Sequence, residues 1–149
     1  MRFQELLDAI EKETESIGEL LSYITQQRDA VVNKDLETIQ DLMKLLHSSS
    51  LQVHKYEALR DKAAASVAAE LGCEKKLKDI CEALGEEEGK QLRLLGEKLE
   101  TAVKAVGAEA IILRRLLEEG QKYNDMMLSE IRRLEGGSFS GGVSMDIKG

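Results

Sequence analysis

The chain has no proline, no tryptophan and few aromatic residues, which make up 3% of its 149 positions. Proline breaks the interior of a helix, so its absence permits very long helices anywhere in the chain. With so few aromatic residues, the core has to be built from Leu, Ile, Val and Ala. Such a core is thin and elongated, which is typical of a helical bundle and argues against a compact enzyme with a deep pocket.

The chain also lacks an excess of positive charge and any apolar run long enough to span a bilayer. Its formal net charge is -7, which argues against nucleic acid and anionic membranes as partners, because both attract clustered Lys and Arg. The first residues, Arg2-Phe3-Gln4-Glu5, do not resemble a signal or transit peptide. Only two cysteines are present, so we expect a cytoplasmic protein with free thiols.

The sequence does contain a repeat of seven in its apolar residues, in three strings. The first string is Phe3, Ile10, Ile17, Ile24 and Val31. The second string is Ile39, Leu46, Val53, Arg60 and Val67, where the charged Arg60 interrupts the apolar residues. The third string is Leu92, Leu99, Val106, Leu113, Gly120, Met127 and Leu134. A repeat of seven keeps one side of a helix against a neighbour, so these strings predict long helices packed side by side.

Turn and cap residues predict where the first two helices begin and end. The first helix should cover residues 3–32, before the break at Asn33-Lys34-Asp35. Asp35 is a good N-cap for a second helix over 36–71, and Gly72 is a C-terminal stop. A break this short requires the second helix to return antiparallel to the first.

The rest of the chain predicts a short helix, a long helix and a tail. The short helix should cover 74–84, and the acidic run at 86–88 should begin a long helix that ends at Glu135. Glycines inside the long helix cost about 1 kcal/mol each relative to Ala, so we expect it to be the least stable element. The predicted fold is all-α: an elongated antiparallel helical bundle or coiled coil over 1–135, with a flexible Gly/Ser-rich tail over 136–149.

The last third of the long helix keeps an apolar stripe that the predicted hairpin does not cover. If the short helix turns the chain round, the long helix lies along the hairpin and its C-terminal third overhangs. An apolar stripe without an internal neighbour requires an external one, which predicts a partner-binding face. The candidate residues are Leu113, Leu116, Leu117, Tyr123, Asn124, Met127, Ile131 and Leu134.

Groups capable of catalysis or metal binding are few and poorly spaced. His47 and His54 are seven residues apart, whereas helical metal sites use ligands three or four apart together with further ligands. Cys73 and Cys81 do not form a Cys-x-x-Cys motif, and no histidine is placed to pair with either. We therefore expect no catalysis, no bound metal and no cofactor.

Several local motifs follow one another in a definite order. The leucine-rich first helix ends in the run Gln27-Arg28-Asp29-Ala30-Val31-Val32, and the tight turn continues as Asn33-Lys34-Asp35-Leu36-Glu37. The second helix carries Tyr56-Glu57-Ala58-Leu59-Arg60 and stops at Gly72. In the late helix Asn124 precedes an apolar run, with Gln121 three positions before it.

Over residues 3–135 this order resembles the FlgN family, the cytoplasmic export chaperones for flagellar hook-filament junction proteins. The family tends to carry two Asn three apart in its late helix, so Gln121 replaces the first of them here. The resemblance implies a soluble, non-enzymatic chaperone that binds the C-terminal helical region of hook-filament junction (hook-associated) proteins. It would keep them unassembled until the flagellar type III export apparatus receives them, and its main contact would be residues 113–134.

Besides the chaperone, the residues leave a structural coiled-coil protein open as an interpretation. They argue against a phosphotransfer module. A structural coiled-coil protein that forms a homodimer through its C-terminal helix would bury the same stripe, and the sequence does not separate this from a chaperone. A helical phosphotransfer module would need a reactive histidine, but neither His47 nor His54 has the neighbourhood His-x-x-Lys-Gly that such modules use.

Overall fold

A computed structural model describes residues 2–136, and this part of the chain is all-α. Its four helices are α1 (Phe3–Val32), α2 (Leu36–Leu71), α3 (Leu77–Ala83) and α4 (Glu86–Gly136). The prediction of an all-α antiparallel bundle is confirmed, and so are the limits of the first two helices. Within the described residues, no helix combines the length and apolarity needed to cross a membrane.

The chain divides into two compact units, Met1–Leu113 and Arg114–Gly149. The first unit contains α1, α2, α3 and the beginning of α4, and the second contains the rest of α4. The single domain expected over 1–135 remains a prediction. The expected tail lies outside the described residues, apart from Gly136 at the end of α4.

The turn between α1 and α2 forms because its residues satisfy the helix ends. Lys34 adopts a left-handed conformation with φ 56°. Asp35 then caps α2 by accepting a hydrogen bond from the backbone N–H of Thr38 at 3.2 Å and one from its hydroxyl at 2.6 Å. At the far end of α2, Gly72 has φ 71° and closes the helix, a conformation that glycine adopts without steric cost.

The core of the first unit is formed by buried apolar side chains from all four helices. At the end of the bundle opposite the turn, the beginning of α1 packs against the end of α2. The buried cluster consists of Leu6, Leu7, Ile10, Ile17, Ala63, Ala64, Val67, Ala68, Ile80, Cys81, Leu92 and Leu99. Five members, Ile10, Ile17, Val67, Leu92 and Leu99, belong to the strings of seven, so the repeat does mark packed sides of the helices.

Within the first unit, α4 runs alongside α1 and parallel to it. Glu11 and Thr14 of α1 border a shallow cavity together with Leu95 and Lys98 of α4. Further along the same helices, Arg28 Nη1 donates to Glu109 Oε2 at 2.7 Å, and both side chains are partly buried. The prediction that the long helix lies along the hairpin is therefore confirmed for this unit.

The start of α3 differs from the prediction, and one glycine of α4 has a specific packing role. The third helix begins at Leu77, so the predicted start at 74 is wrong, because Lys76, directly before it, is in an extended conformation. Lys75 Nζ lies 2.9 Å from Asp61 Oδ1 of α2. Among the glycines of α4, Gly89 marks a close approach: a Cβ there would lie 2.8 Å from the backbone oxygen of Cys81.

Candidate partner-binding site

The apolar side of α4 is buried in the first unit and exposed in the second. Leu92 is 0% exposed and Leu99 is 7% exposed, whereas Met127 is 47% exposed and Leu134 is 41% exposed. All four positions belong to the same repeat of seven. The repeat therefore continues along α4 beyond the point where the core covers it.

Seven of the eight candidate residues lie in the second unit, and we call them the late stripe. Leu116 is half-buried, and the other members are exposed. The late stripe is Leu116, Leu117, Tyr123, Asn124, Met127, Ile131 and Leu134. The eighth candidate, Leu113, is half-buried and is the last residue of the first unit. The partner-binding role of these residues remains a prediction.

Helix geometry brings the late stripe to one side of α4. Its members follow one another at steps of one, three, four or six, and at about 100° per residue these steps keep all seven within about a third of the helix circumference. At 1.5 Å per residue, the stretch 116–134 is about 27 Å long. This length is enough to accommodate an amphipathic helix of several turns.

Two exposed residues beside the candidate residues widen this apolar surface. Met126 is 71% exposed and Leu128 is 48% exposed. Both residues neighbour Met127. The Met126-Met127 pair is the sequence signal for this wider surface, since methionine is common on surfaces that adapt to partners. Contiguous exposed apolar residues of this kind typically mark interaction sites.

The charged residues near the late stripe pair with one another on the exposed surface of α4. Arg114 Nε lies 3.7 Å from Glu118 Oε1, and Arg133 contacts Glu130. All four side chains are more than half exposed. Ion pairs in water contribute little to stability, about 0–1 kcal/mol, so these charges remain available to a partner.

The residues considered for chemistry are not assembled into a site. His47 and His54 are exposed, and His54 Nδ1 lies 3.5 Å from Glu57 Oε2 on the same helix. Both cysteines are free thiols, and burial raises the pKa of the Cys81 thiol. Within residues 2–136 no group of three His, Cys, Asp or Glu side chains is placed to hold a metal ion.

A groove of about 630 Å³ lies in the first unit between α3 and α4. Its floor includes Leu77, Cys81 and Leu92, and Lys78 and Arg93 are among the charged residues at its rim. The floor belongs to the same buried cluster that holds the helices together. The apolar residues of the groove are therefore part of the core of the first unit. The late stripe, in contrast, is a long apolar surface outside that core.

The family model described as FlgN protein matches residues 1–141. A search of curated proteins and a search of solved structures each found no match.

Proposed function

This chain belongs to the FlgN family of flagellar export chaperones, which bind export substrates rather than catalyse reactions, and from that premise we propose that its clients are hook-filament junction proteins. It binds their C-terminal helical region and keeps them unassembled. It then delivers them to the flagellar type III export apparatus. In this proposal the chaperone acts in the cytoplasm, without a cofactor, membrane insertion or nucleic acid.

The observation that carries this proposal is the exposure of the late stripe. In the first unit Leu92 and Leu99 of the same repeat are buried in one cluster with side chains of α1, α2 and α3. In the second unit Tyr123 is 60% exposed and Leu117 is 52% exposed. The late stripe has the pattern of a helix side that packs against a neighbouring helix, but it is uncovered. This exposure supports the proposal that a partner supplies the neighbouring helix.

The physical basis is recognition of an amphipathic helix by an apolar helical side. A junction protein's terminal segment would be disordered before assembly and would expose its own apolar residues. Docking on the late stripe buries both surfaces and removes them from self-assembly. Because delivery requires release, we expect a dissociation constant between micromolar and nanomolar, which corresponds to about 8–12 kcal/mol.

The test is a calorimetric titration of the full chain with a C-terminal segment of a hook-filament junction protein from the same cell. We expect saturable binding whose heat capacity change is negative, the signature of apolar burial. A peptide of the same composition, scrambled so that its apolar residues no longer share one side, is the matched control. No binding of the native segment, or equal binding of the scrambled one, would overturn the proposal.

A further inference from the structure

One position in the repeat of seven of α4 has no side chain. Gly120 stands between Leu113 and Met127 of the third string, where the repeat otherwise has apolar residues. We propose that Gly120 is a specificity-determining residue for the client, because it leaves a hole in the late stripe that receives one large apolar side chain, Leu, Met or Phe, of the client helix. This inference rests on the proposed function and names the feature of the client that the late stripe recognises.

Helix geometry places Gly120 on the middle line of the late stripe. At about 100° per residue, the side chains three and four positions away lie within about 60° of Gly120 to either side. In paired helices, a side chain of one helix inserts into a hole formed by four residues of the other. Here the hole reaches the backbone of α4, because the residue inside it is a glycine. The four surrounding residues are Leu116, Leu117, Tyr123 and Asn124.

Within residues 2–136, the chain does not fill this hole. Gly120 is exposed, and a Cβ added to it would meet no atom within 4 Å. Among the surrounding side chains, Tyr123 is 60% exposed and Leu117 is 52% exposed. The hole is therefore accessible to a partner, and most of its wall is apolar.

Two other glycines of α4 demonstrate how this helix receives a neighbour. Gly89 and Gly96 are seven apart in the sequence, and both lie against residues of the chain before α4. A Cβ at Gly89 would lie 2.8 Å from the backbone oxygen of Cys81, and a Cβ at Gly96 would lie 3.7 Å from Leu77 Cδ1. In the first unit, therefore, glycines of α4 allow α3 to approach closely. A client helix on the late stripe should approach Gly120 in the same way.

The hole also defines which side chain fits it. Its apolar wall disfavours a charged residue, which would be buried without a partner. Val and Ile are branched at Cβ and carry their bulk close to their own backbone. Leu, Met and Phe carry their bulk further out and can reach the backbone of α4 at Gly120. The ring of Tyr123 also makes favourable contacts with Phe or Met.

The test is calorimetric titration of Gly120 variants with the C-terminal segment of the hook-filament junction protein. Gly120→Leu fills the hole, so we expect its dissociation constant to rise at least about tenfold, because overpacking displaces the partner. Gly120→Ala fills the hole only in part and should raise the dissociation constant about threefold. Both variants should raise the Tm, since each replaces an interior glycine with a better helix former. Client affinity should thus fall while stability rises.

The matched control is Gly107→Leu, the same change at a glycine of α4 outside the late stripe. A Cβ at Gly107 also has no neighbour within 4 Å among the described residues. This variant should likewise raise the Tm. Because Gly107 is distant from the hole, its client affinity should stay within about twofold of the wild type.

An alanine scan of the client segment identifies the inserted side chain. Truncating that residue should weaken binding to the wild type at least about tenfold. The same truncation should not weaken binding to Gly120→Leu, where the hole is already filled, and a double-mutant cycle measures this coupling.

Two results would show that the inference is wrong. The first is a Gly120→Leu variant that binds the segment as tightly as the wild type. The second is equal losses in Gly120→Ala and Gly120→Leu without coupling to any truncation, which indicates a need for helix flexibility and not for a hole. Both results leave the proposed function intact, whereas a wild type that binds no segment contradicts the proposed function and this inference with it.

Discussion

Arg60 of α2 neutralises Glu13 of α1 inside the helical hairpin, with 2.5 Å between Arg60 Nε and Glu13 Oε2. Glu13 is 4% exposed. Arg60 is the residue that interrupts the second apolar string. Its charge does not break the packed side of α2, because its partner across the hairpin is a buried carboxylate.

We predict that Arg60→Met destabilises the protein by about 3 kcal/mol, since it leaves the carboxylate of Glu13 buried without a partner. The double variant Glu13→Met/Arg60→Met should recover most of that loss, because an apolar pair replaces the ionic one. Urea unfolding followed by circular dichroism measures both values. Arg114→Met is the control: its pair with Glu118 is exposed, and its loss should change stability by no more than about 0.5 kcal/mol. Equal losses in the single and double variants would contradict the role given to Arg60.

The cap at Asp35 predicts a dependence of stability on pH. Hydrogen bonds from the Thr38 hydroxyl and then from its backbone N–H lower the pKa of the Asp35 carboxyl. Because the folded-state pKa lies below the unfolded one, the stability from ionised Asp35 is present above the unfolded pKa, about 3.9, and is lost as pH falls through the folded pKa. Asp35→Asn still caps the helix but does not titrate.

The measurement for this cap is urea unfolding of the wild type and of Asp35→Asn between pH 7 and pH 2. The advantage of the wild type over the variant should be constant at neutral pH and should shrink below about pH 4. If the difference between the two proteins does not change with pH, the ionised carboxylate does not stabilise the start of α2.

Two glycines of α4 should respond to alanine in opposite directions. Gly89→Ala places a Cβ 2.8 Å from the backbone oxygen of Cys81, so α3 has to shift, and we expect a loss of about 1–3 kcal/mol. A Cβ at Gly107 has no neighbour within 4 Å, so Gly107→Ala should stabilise the helix by about 0.5–1 kcal/mol. Thermal unfolding of both variants measures the two changes in stability. A stabilised Gly89→Ala variant would contradict the close approach of α3 and α4.

The limits of α1 and α2 could be predicted from sequence because local signals agree there. The repeat of seven, the cap at Asp35 and the glycine at Gly72 all indicate the same boundaries. The start of α3 could not be predicted in this way. Residues 74–76 contain no helix-breaking side chain, yet Lys76 is in an extended conformation, and no local signal in these three residues indicates it.

The candidate site could be predicted only in part, for a related reason. The repeat of seven marks Leu92 and Leu134 alike, although the first is buried and the second is exposed. Whether a seam position is covered depends on how far the neighbouring helices extend, and the pattern within α4 does not contain that information. Likewise, the sequence showed that Arg60 interrupts a string but not that Glu13 lies opposite.

The central claim is that the late stripe binds the client, and the most direct measurement is the client affinity of Leu116→Asp/Ile131→Asp. We predict a loss of at least about hundredfold, because both carboxylates would be buried unpaired against the client's apolar side. Gln121→Asp/Ser129→Asp, which adds the same charge away from the stripe, should bind within about threefold of the wild type. With helix content unchanged in both variants, wild-type affinity in Leu116→Asp/Ile131→Asp would contradict the account.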